Sequence, residues 1–249
     1  MLFICFAAYN EQENIENLLR RLHATLAGAG AYQVVAFNDG STDGTLAELE
    51  RLRPHYPLTI IHSPQNLGLG GGTQRLLDYV CESGGESDIA VFMDGDDTHD
   101  PSTIAAMCMA IGRGADVVIA SRYQPGAVLS GIPWHRQVIS RGASLFWQVM
   151  LPLKHVRDYS CGYRAYRVGL LKQAKAERGK PFISRRGFEC QVELLSALRP
   201  FARFAEVPIR LAYDRKLGTS KMRIMRTSMR TVSLGIHLLT DRCLGTKNG

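Results

Sequence analysis

Through the first half of this chain, short apolar runs alternate with segments whose apolar residues recur at helical spacing. "LFICFAA", "YQVVAFN", "PLTIIHS", "SDIAVFMD" and "ADVVIASR" read as buried strands. Between them, "EQENIENLLRRLHATLAG" sets Ile15, Leu18, Leu19 and Leu22 on one helical face and stops near Gly28. "TLAELERL" and "TQRLLDYVCES" are further helices, and Pro101 opens another. Parallel strands joined by crossover helices bury all of these apolar faces at once. The expected fold class is therefore α/β, a mostly parallel sheet with helices on both faces. Ligands bind such sheets beyond the carboxyl ends of the strands. The polar stretches "YNE", "NDGSTDG", "NLGLGGG", "DGDD" and "SRY" all fall there.

The second half is less regular. Helices are expected at about 134–151, 187–199 and 221–242, with a strand near 203–211. There is no internal repeat and no low-complexity linker, and 249 residues suit one α/β domain. The net charge of +7 suggests an anionic partner: phosphate, nucleic acid or a membrane surface. Nine Lys/Arg between Arg199 and Arg230 face only Glu206 and Asp214. The six cysteines form no C-x-x-C pair and sit partly in apolar segments, which fits reduced thiols rather than disulfides or zinc. "MLFICFAA" lacks a basic leader and a cleavage site, so no signal peptide is expected. No apolar run reaches 18 residues, so no transmembrane span is expected either. These features point to a cytoplasmic protein.

Chemistry concentrates in "MDGDDTHDP", which packs four aspartates into seven positions after a buried strand. Side chains at i and i+2 of an extended chain share a side, so Asp94 and Asp96 can converge, with Gly95 leaving room between them. Two carboxylates suit a hard divalent cation, magnesium or manganese, that also takes diphosphate oxygens. A strand-ending turn would use the same residue types. Asp100 is expected to cap the helix opened by Pro101. In "NDGSTDGT", Ser41 or Thr42 is the expected cap of the next helix, while Asp39 could accept from the imide N–H of guanine or uracil. "NLGLGGG" is either a phosphate cradle or a site of close helix–strand packing; it is neither G-x-G-x-x-G nor a P-loop.

In order along nearly the whole chain, these stretches resemble a family-two glycosyltransferase of the GT-A (Rossmann-like) fold, within the dolichyl-phosphate mannose synthase group. "AAYNEQENI" is similar to P-x-Y-N-E-x-x-N-I, with Ala8 where proline is usual. "NDGSTDGT", "NLGLGGG" and "MDGDD" resemble the motifs that follow, and "SRY" with "WHRQVISRGAS" the acceptor-side segment. "DYSCGYRAYR", "GFECQVEL" and "EVPIRLAYDRKLGTSKM" resemble the later motifs that narrow the choice to this group. The resemblance implies nucleotide binding by Tyr9, Glu11 and Asp39, and a metal held by Asp94 and Asp96 with Thr98 as third metal-side group. It places Arg215 and Lys221 at the donor phosphates, and Arg122, Arg136 and Ser140 at the acceptor phosphate. Asp97 stands where the family usually has leucine and is expected to face the sugar.

The reaction so implied is inverting, metal-dependent transfer of a hexose from a nucleotide sugar to a polyprenyl phosphate, with GDP-mannose favoured over UDP-glucose. A second reading keeps the donor but uses a hydroxyl acceptor, for which Asp97 would be the base. A third, a non-enzymatic phosphate- or nucleic-acid-binding module, leaves the acidic cluster unexplained, so no nucleic-acid partner is expected. Residues 1–221 form the expected catalytic domain. Residues 222–249 form an expected C-terminal amphipathic helix, with Arg223, Arg226 and Arg230 on one stripe beside Met225, Met229 and Val232. It would lie peripherally on an anionic membrane surface at the cytoplasmic face.

Overall fold

The computed structural model of the chain describes residues 1–131, 134–212 and 215, the side chains of 134–137 excepted. The strands are β1 (Leu2–Ala8), β2 (Tyr32–Asp39), β3 (Leu58–Ser63), β4 (Ile89–Asp94), β5 (Val117–Ser121), β6 (Val128–Ser130), β7 (Arg164–Arg167), β8 (Phe204–Pro208) and β9 (Arg210–Ala212). The helices are α1 (Gln12–Leu26), α2 (Thr45–Leu52), α3 (Gly68–Ser83), α4 (Thr103–Gly112), α5 (Trp134–Met150), α6 (Val168–Arg178) and α7 (Cys190–Leu198).

Seven strands form one sheet in the order β3-β2-β1-β4-β7-β5-β8, and β6 pairs with β9 outside it. All pairings in the large sheet are parallel except those of β7, which runs antiparallel between β4 and β5. The chain moves outward from β1 to β2 and β3, then returns to place β4 on the other side of β1. The β1–β4 junction is therefore the topological switch point, where a crevice opens beyond the strand ends.

In β1 the consecutive residues Phe3, Ile4, Cys5 and Phe6 are all fully buried, so both faces of this strand are covered. α1 contributes Ile15, Leu18, Leu19, Leu22 and Leu26 to the core at the spacing of one helical face. α3, α6 and α7 pack against one another, and α4 lies on β5, β7 and β8.

The first-half elements occur where expected, and the second half differs in composition. β6, β7 and α6 are additional to the expected elements, and the expected strand near 203–211 is two strands, β8 and β9. α4 starts at Thr103 rather than Pro101, because Asp100 holds a turn first: its carboxylate accepts the Ser102 N–H at 3.0 Å. α2 is not capped by Ser41 or Thr42. Asp43 accepts from the Thr45 N–H at 2.9 Å, while Ser41 and Thr42 bind Asn10 in the neighbouring loop. The glycine-rich stretch forms the first turns of α3 rather than a loop before it. Five cysteines, Cys5, Cys81, Cys108, Cys161 and Cys190, are free. Among the described residues, no helix is long and apolar enough to cross a membrane.

Candidate active site

β1, β2 and β4 bring Tyr9, Glu11, Asp39, Asp94 and Asp96 to one end of the sheet, at the switch point. Asn10, with a positive φ of 55°, laces the first loop to the second. Its N–H donates to Ser41 Oγ at 3.0 Å, and its Oδ1 accepts the Thr42 N–H at 2.8 Å. Glu11 adds a bond from its N–H to Thr45 Oγ1 at 2.8 Å, and its carboxylate accepts from Asn14 at 2.7 Å.

Asp39, expected to meet a nucleobase, is buried and holds the N-terminus of α3. Its two carboxylate oxygens accept the backbone N–H groups of Leu67 at 2.6 Å and Gly68 at 3.0 Å. A carboxylate there complements the helix dipole. Burial lifts its carboxyl above the usual range, against those two N–H groups and the Arg186 guanidinium. The glycines of this helix are required by close approach. A side chain on Gly70 would begin 1.7 Å from the carbonyl oxygen of Arg185, and Arg186 donates to the carbonyls of Asn66 and Leu67. The packing reading of "NLGLGGG" therefore accounts for Gly70.

Asp94 ends β4 with its side chain 45% exposed. Gly95 follows because a Cβ there would sit 2.9 Å from the carbonyl oxygen of Ala7, at the end of β1. The Asp94 N–H donates to His99 Nδ1 at 3.1 Å, which leaves the ring's other nitrogen 3.7 Å from Asp94 Oδ2. The imidazole is buried and stacks on Tyr163, with ring centroids 4.7 Å apart. Asp96 is fixed from the other side. Thr98 donates to its Oδ1 through the hydroxyl at 2.7 Å and the N–H at 3.2 Å. Thr98, expected as a third metal-side group, is buried and supports Asp96. Among the described residues, no cluster of three or more His, Cys, Asp or Glu could hold a metal. The donor set is two carboxylates at a strand end, which fits a hard cation whose remaining ligands are diphosphate oxygens and water.

Asp97, expected to face the sugar, is held against α1. It is buried with φ of 58°, and Arg21 of α1 contacts its carboxylate at 2.5 Å. Burial raises its carboxyl, against the pull of Arg21. Arg21 also lies 3.3 Å from Asp100, which Arg215 approaches at 3.4 Å. Arg215 is therefore placed beside the acidic loop. Lys221 lies outside the described residues.

Arg122, at the end of β5, is gripped by Asp158. The carboxylate accepts from its Nε at 2.8 Å, its Nη2 at 2.7 Å and its backbone N–H at 3.0 Å. Asp158 is fully buried, and burial pushes its carboxyl up. The Arg122 charge and the N–H groups of Arg122 and Cys161 outweigh that and leave it below the usual range. Burial likewise disfavours the charged guanidinium, but Asp158 more than compensates and holds it ionised. Nη2 also donates to Ser160 at 2.6 Å, while Nη1 makes no hydrogen bond among the described residues. Ser140 Oγ is 2.9 Å from the Tyr123 hydroxyl, which sets α5 beside the end of β5. The side chain of Arg136 lies outside the described residues.

Sequence reasoning missed Asp158, Arg21, His99 and Gln191 as residues that shape this site. "DYSCGYRAYR" and "GFECQVEL" flag two of them as parts of motifs, but without the partner each one holds.

The sequence model described as "Glycosyl transferase family 2" matches residues 3–174. The chain is a family-two glycosyltransferase. Polyprenol monophosphomannose synthase of Mycolicibacterium smegmatis is 29% identical over 248 residues, 97% of this chain and 89% of that one. Undecaprenyl-phosphate mannosyltransferase of Micrococcus luteus is 33% identical over 216 residues, covering 86% and 84%. Dolichol-phosphate mannosyltransferase of Pyrococcus furiosus is 29% identical over 88% of this chain, which spans only 58% of that longer protein. Among solved structures, glucosyl-3-phosphoglycerate synthase from Mycobacterium tuberculosis with Mn2+, UDP and glucosyl-3-phosphoglycerate superposes with a TM-score of 0.64 at 17% identity. That match covers 98% of this chain and 80% of the other. At such identity the likeness speaks for the fold alone, the expected GT-A arrangement.

Proposed function

We propose that this glycosyltransferase transfers mannose from GDP-mannose to a polyprenyl phosphate, with inversion and with a divalent cation. The observation that carries the reading is similarity along 86% to 97% of the chain to proteins named as mannosyltransferases or mannose synthases of polyprenyl phosphates. The geometry is compatible. Asp94 and Asp96 would hold Mg2+ or Mn2+, which supplies charge neutralisation for the departing diphosphate. Arg122, held by Asp158 and with no hydrogen bond at its Nη1 among the described residues, would orient the acceptor phosphate together with Ser140 and Arg136. A phosphate monoester is already ionised near neutral pH, so its oxygen attacks the anomeric carbon without a protein base. One displacement inverts that carbon as the nucleoside diphosphate leaves.

The hydroxyl-acceptor alternative needs a base, and the residue named for it, Asp97, is buried against Arg21. A lipid acceptor also requires a route to the membrane. The tail of residues 222–249, read from sequence as an interfacial helix, lies outside the described residues.

The test is transfer from GDP-mannose or UDP-glucose to a short-chain polyprenyl phosphate and to hydroxyl acceptors, with and without chelator. Chelator-sensitive mannosylation of the phosphate is expected. Transfer only to hydroxyls, or only from UDP-glucose, would overturn the proposal.

A further inference from the structure

α5 carries apolar residues on two opposite faces. Trp147, with Leu151 just beyond the helix, goes into the core. On the other side Val138, Leu145 and Val149 are 58%, 63% and 72% exposed. With Gly142 they follow one another at spacings of four, three and four, the seam of a heptad repeat. A stripe of this kind ordinarily faces a second helix. Gly142 fits the same pattern. Glycine weakens a helix interior relative to alanine, and a Cβ there would meet nothing within 4 Å, so no described neighbour calls for it. A helix crossing at Gly142 would, because the missing side chain lets two backbones approach.

The course of the chain supplies the second helix. β6 and β9 pair in parallel, with Ser130 opposite Ala212, so both strands leave their ladder at the same end and in the same direction. β6 leads directly to α5, and β9 leads to the C-terminal tail. In that tail Met222, Met225, Met229, Val232, Ile236 and Leu239 recur at alternating spacings of three and four, a heptad seam of its own. The stretch from Ala212 to Met222 extends to about 30 Å, and α5 is about 25 Å long. The tail therefore reaches either end of α5. We propose that residues 222–239 form a helix that docks its seam on the stripe of Val138, Gly142, Leu145 and Val149 of the same molecule. Arg223, Arg226 and Arg230 fall off that seam, so the docked tail still turns its positive charge outward.

Trypsin reads the docking directly, since the tail carries Lys221, Arg223, Arg226 and Arg230. Full-length protein is digested without lipid, and cleavage at these residues is followed by mass spectrometry. The comparison is of wild type with Leu145→Glu and Val149→Glu, with Met109→Glu at an exposed apolar site on α4 as the control. Leu145 and Val149 are exposed, so an acidic side chain leaves the core intact, and a thermal melt checks each variant. Val232→Glu, made in the tail itself, decides the matter if either α5 variant does not fold. Cleavage is expected to be about tenfold slower in wild type and Met109→Glu than in the other variants, because only an undocked tail is cut. A tail cut as fast in wild type as in Leu145→Glu and Val149→Glu would overturn the proposal. So would protection that vanishes on dilution, which makes the occupant of the stripe a second copy of the chain. Protection that appears only with anionic vesicles would overturn it too, in favour of a lipid surface.

Discussion

Asp96 accepts two bonds from Thr98 on one oxygen, and that geometry is within reach of asparagine. Asp96→Asn should therefore keep the fold while losing one negative charge beside Asp94. Transfer is expected to fall about a hundredfold or more, with Mn2+-dependent donor binding weakened and the thermal midpoint unchanged or raised; calorimetry and a melt check both halves. Asp158 is a different case, since removing one partner of a buried pair leaves the other charge unpaired. Asp158→Ala should cost about 3–5 kcal/mol, read by urea denaturation. Its carboxyl is held below the ordinary value, so the unfolded chain takes up the proton first as pH falls. The pair's stabilisation is thus complete above the unfolded-state value of about 3.9 and is lost as pH drops toward the native one. The slope of wild-type stability in that acid range should diminish in the variant. Asp94 and Asp96 were legible in the sequence because their relation is local, two residues apart at a strand end. Asp158 and Arg122 stand 36 positions apart, and nothing short of the fold brings them together. The partner of Asp97 was hidden for the same reason: Arg21 lies 76 residues away.

At the level of elements, the strands and helices of the first half were legible because each carries its own period and lies between turn residues. β7 was not. Four residues reading "RAYR" offer no apolar alternation, and Arg164 is fully buried through bonds to the carbonyls of Tyr159 and Gln191. Charge normally marks a surface, so a buried arginine defeats the pattern. α6 has a weak apolar face and was lost with it, although Leu170, Leu171 and Ala174 are buried. The start of α3 gives a clean test of element packing. Gly70→Ala would set a methyl group against the Arg185 carbonyl and should destabilise by about 1–3 kcal/mol or more. Gly112→Ala, at the end of α4 with nothing within 4 Å of the new methyl, should stabilise by about 0.5–1 kcal/mol. Chemical denaturation of the two variants side by side checks the sign of each. Gly70→Ala should also weaken nucleotide affinity, because Asp39 and the first turn of α3 move together.

For the molecule as a whole, the positive charge gathered toward the C-terminal end predicts attraction to anionic surfaces. Full-length protein is expected to sediment with phosphatidylserine-containing vesicles at low ionic strength and to be released as salt rises, with neutral vesicles as the control. Indifference to vesicle charge would remove the interfacial role assigned to Arg223, Arg226 and Arg230. The sheet order has a consequence for how the chain is made. β7 lies between β4 and β5 yet leaves the ribosome after both. The half-sheet β3-β2-β1-β4 can close as it emerges, but the outer edge of β4, the strand that ends in Asp94, waits unpaired for some seventy further residues. An open edge beside an apolar core invites pairing with another chain. A nascent chain stalled before Arg164 should consequently aggregate, as a fragment of residues 1–150 would show by sedimentation. The segment that seals the edge begins directly after the Asp158 loop that grips Arg122. During synthesis, protection from aggregation and arrival of the carboxylate that anchors Arg122 would fall within the same ten residues.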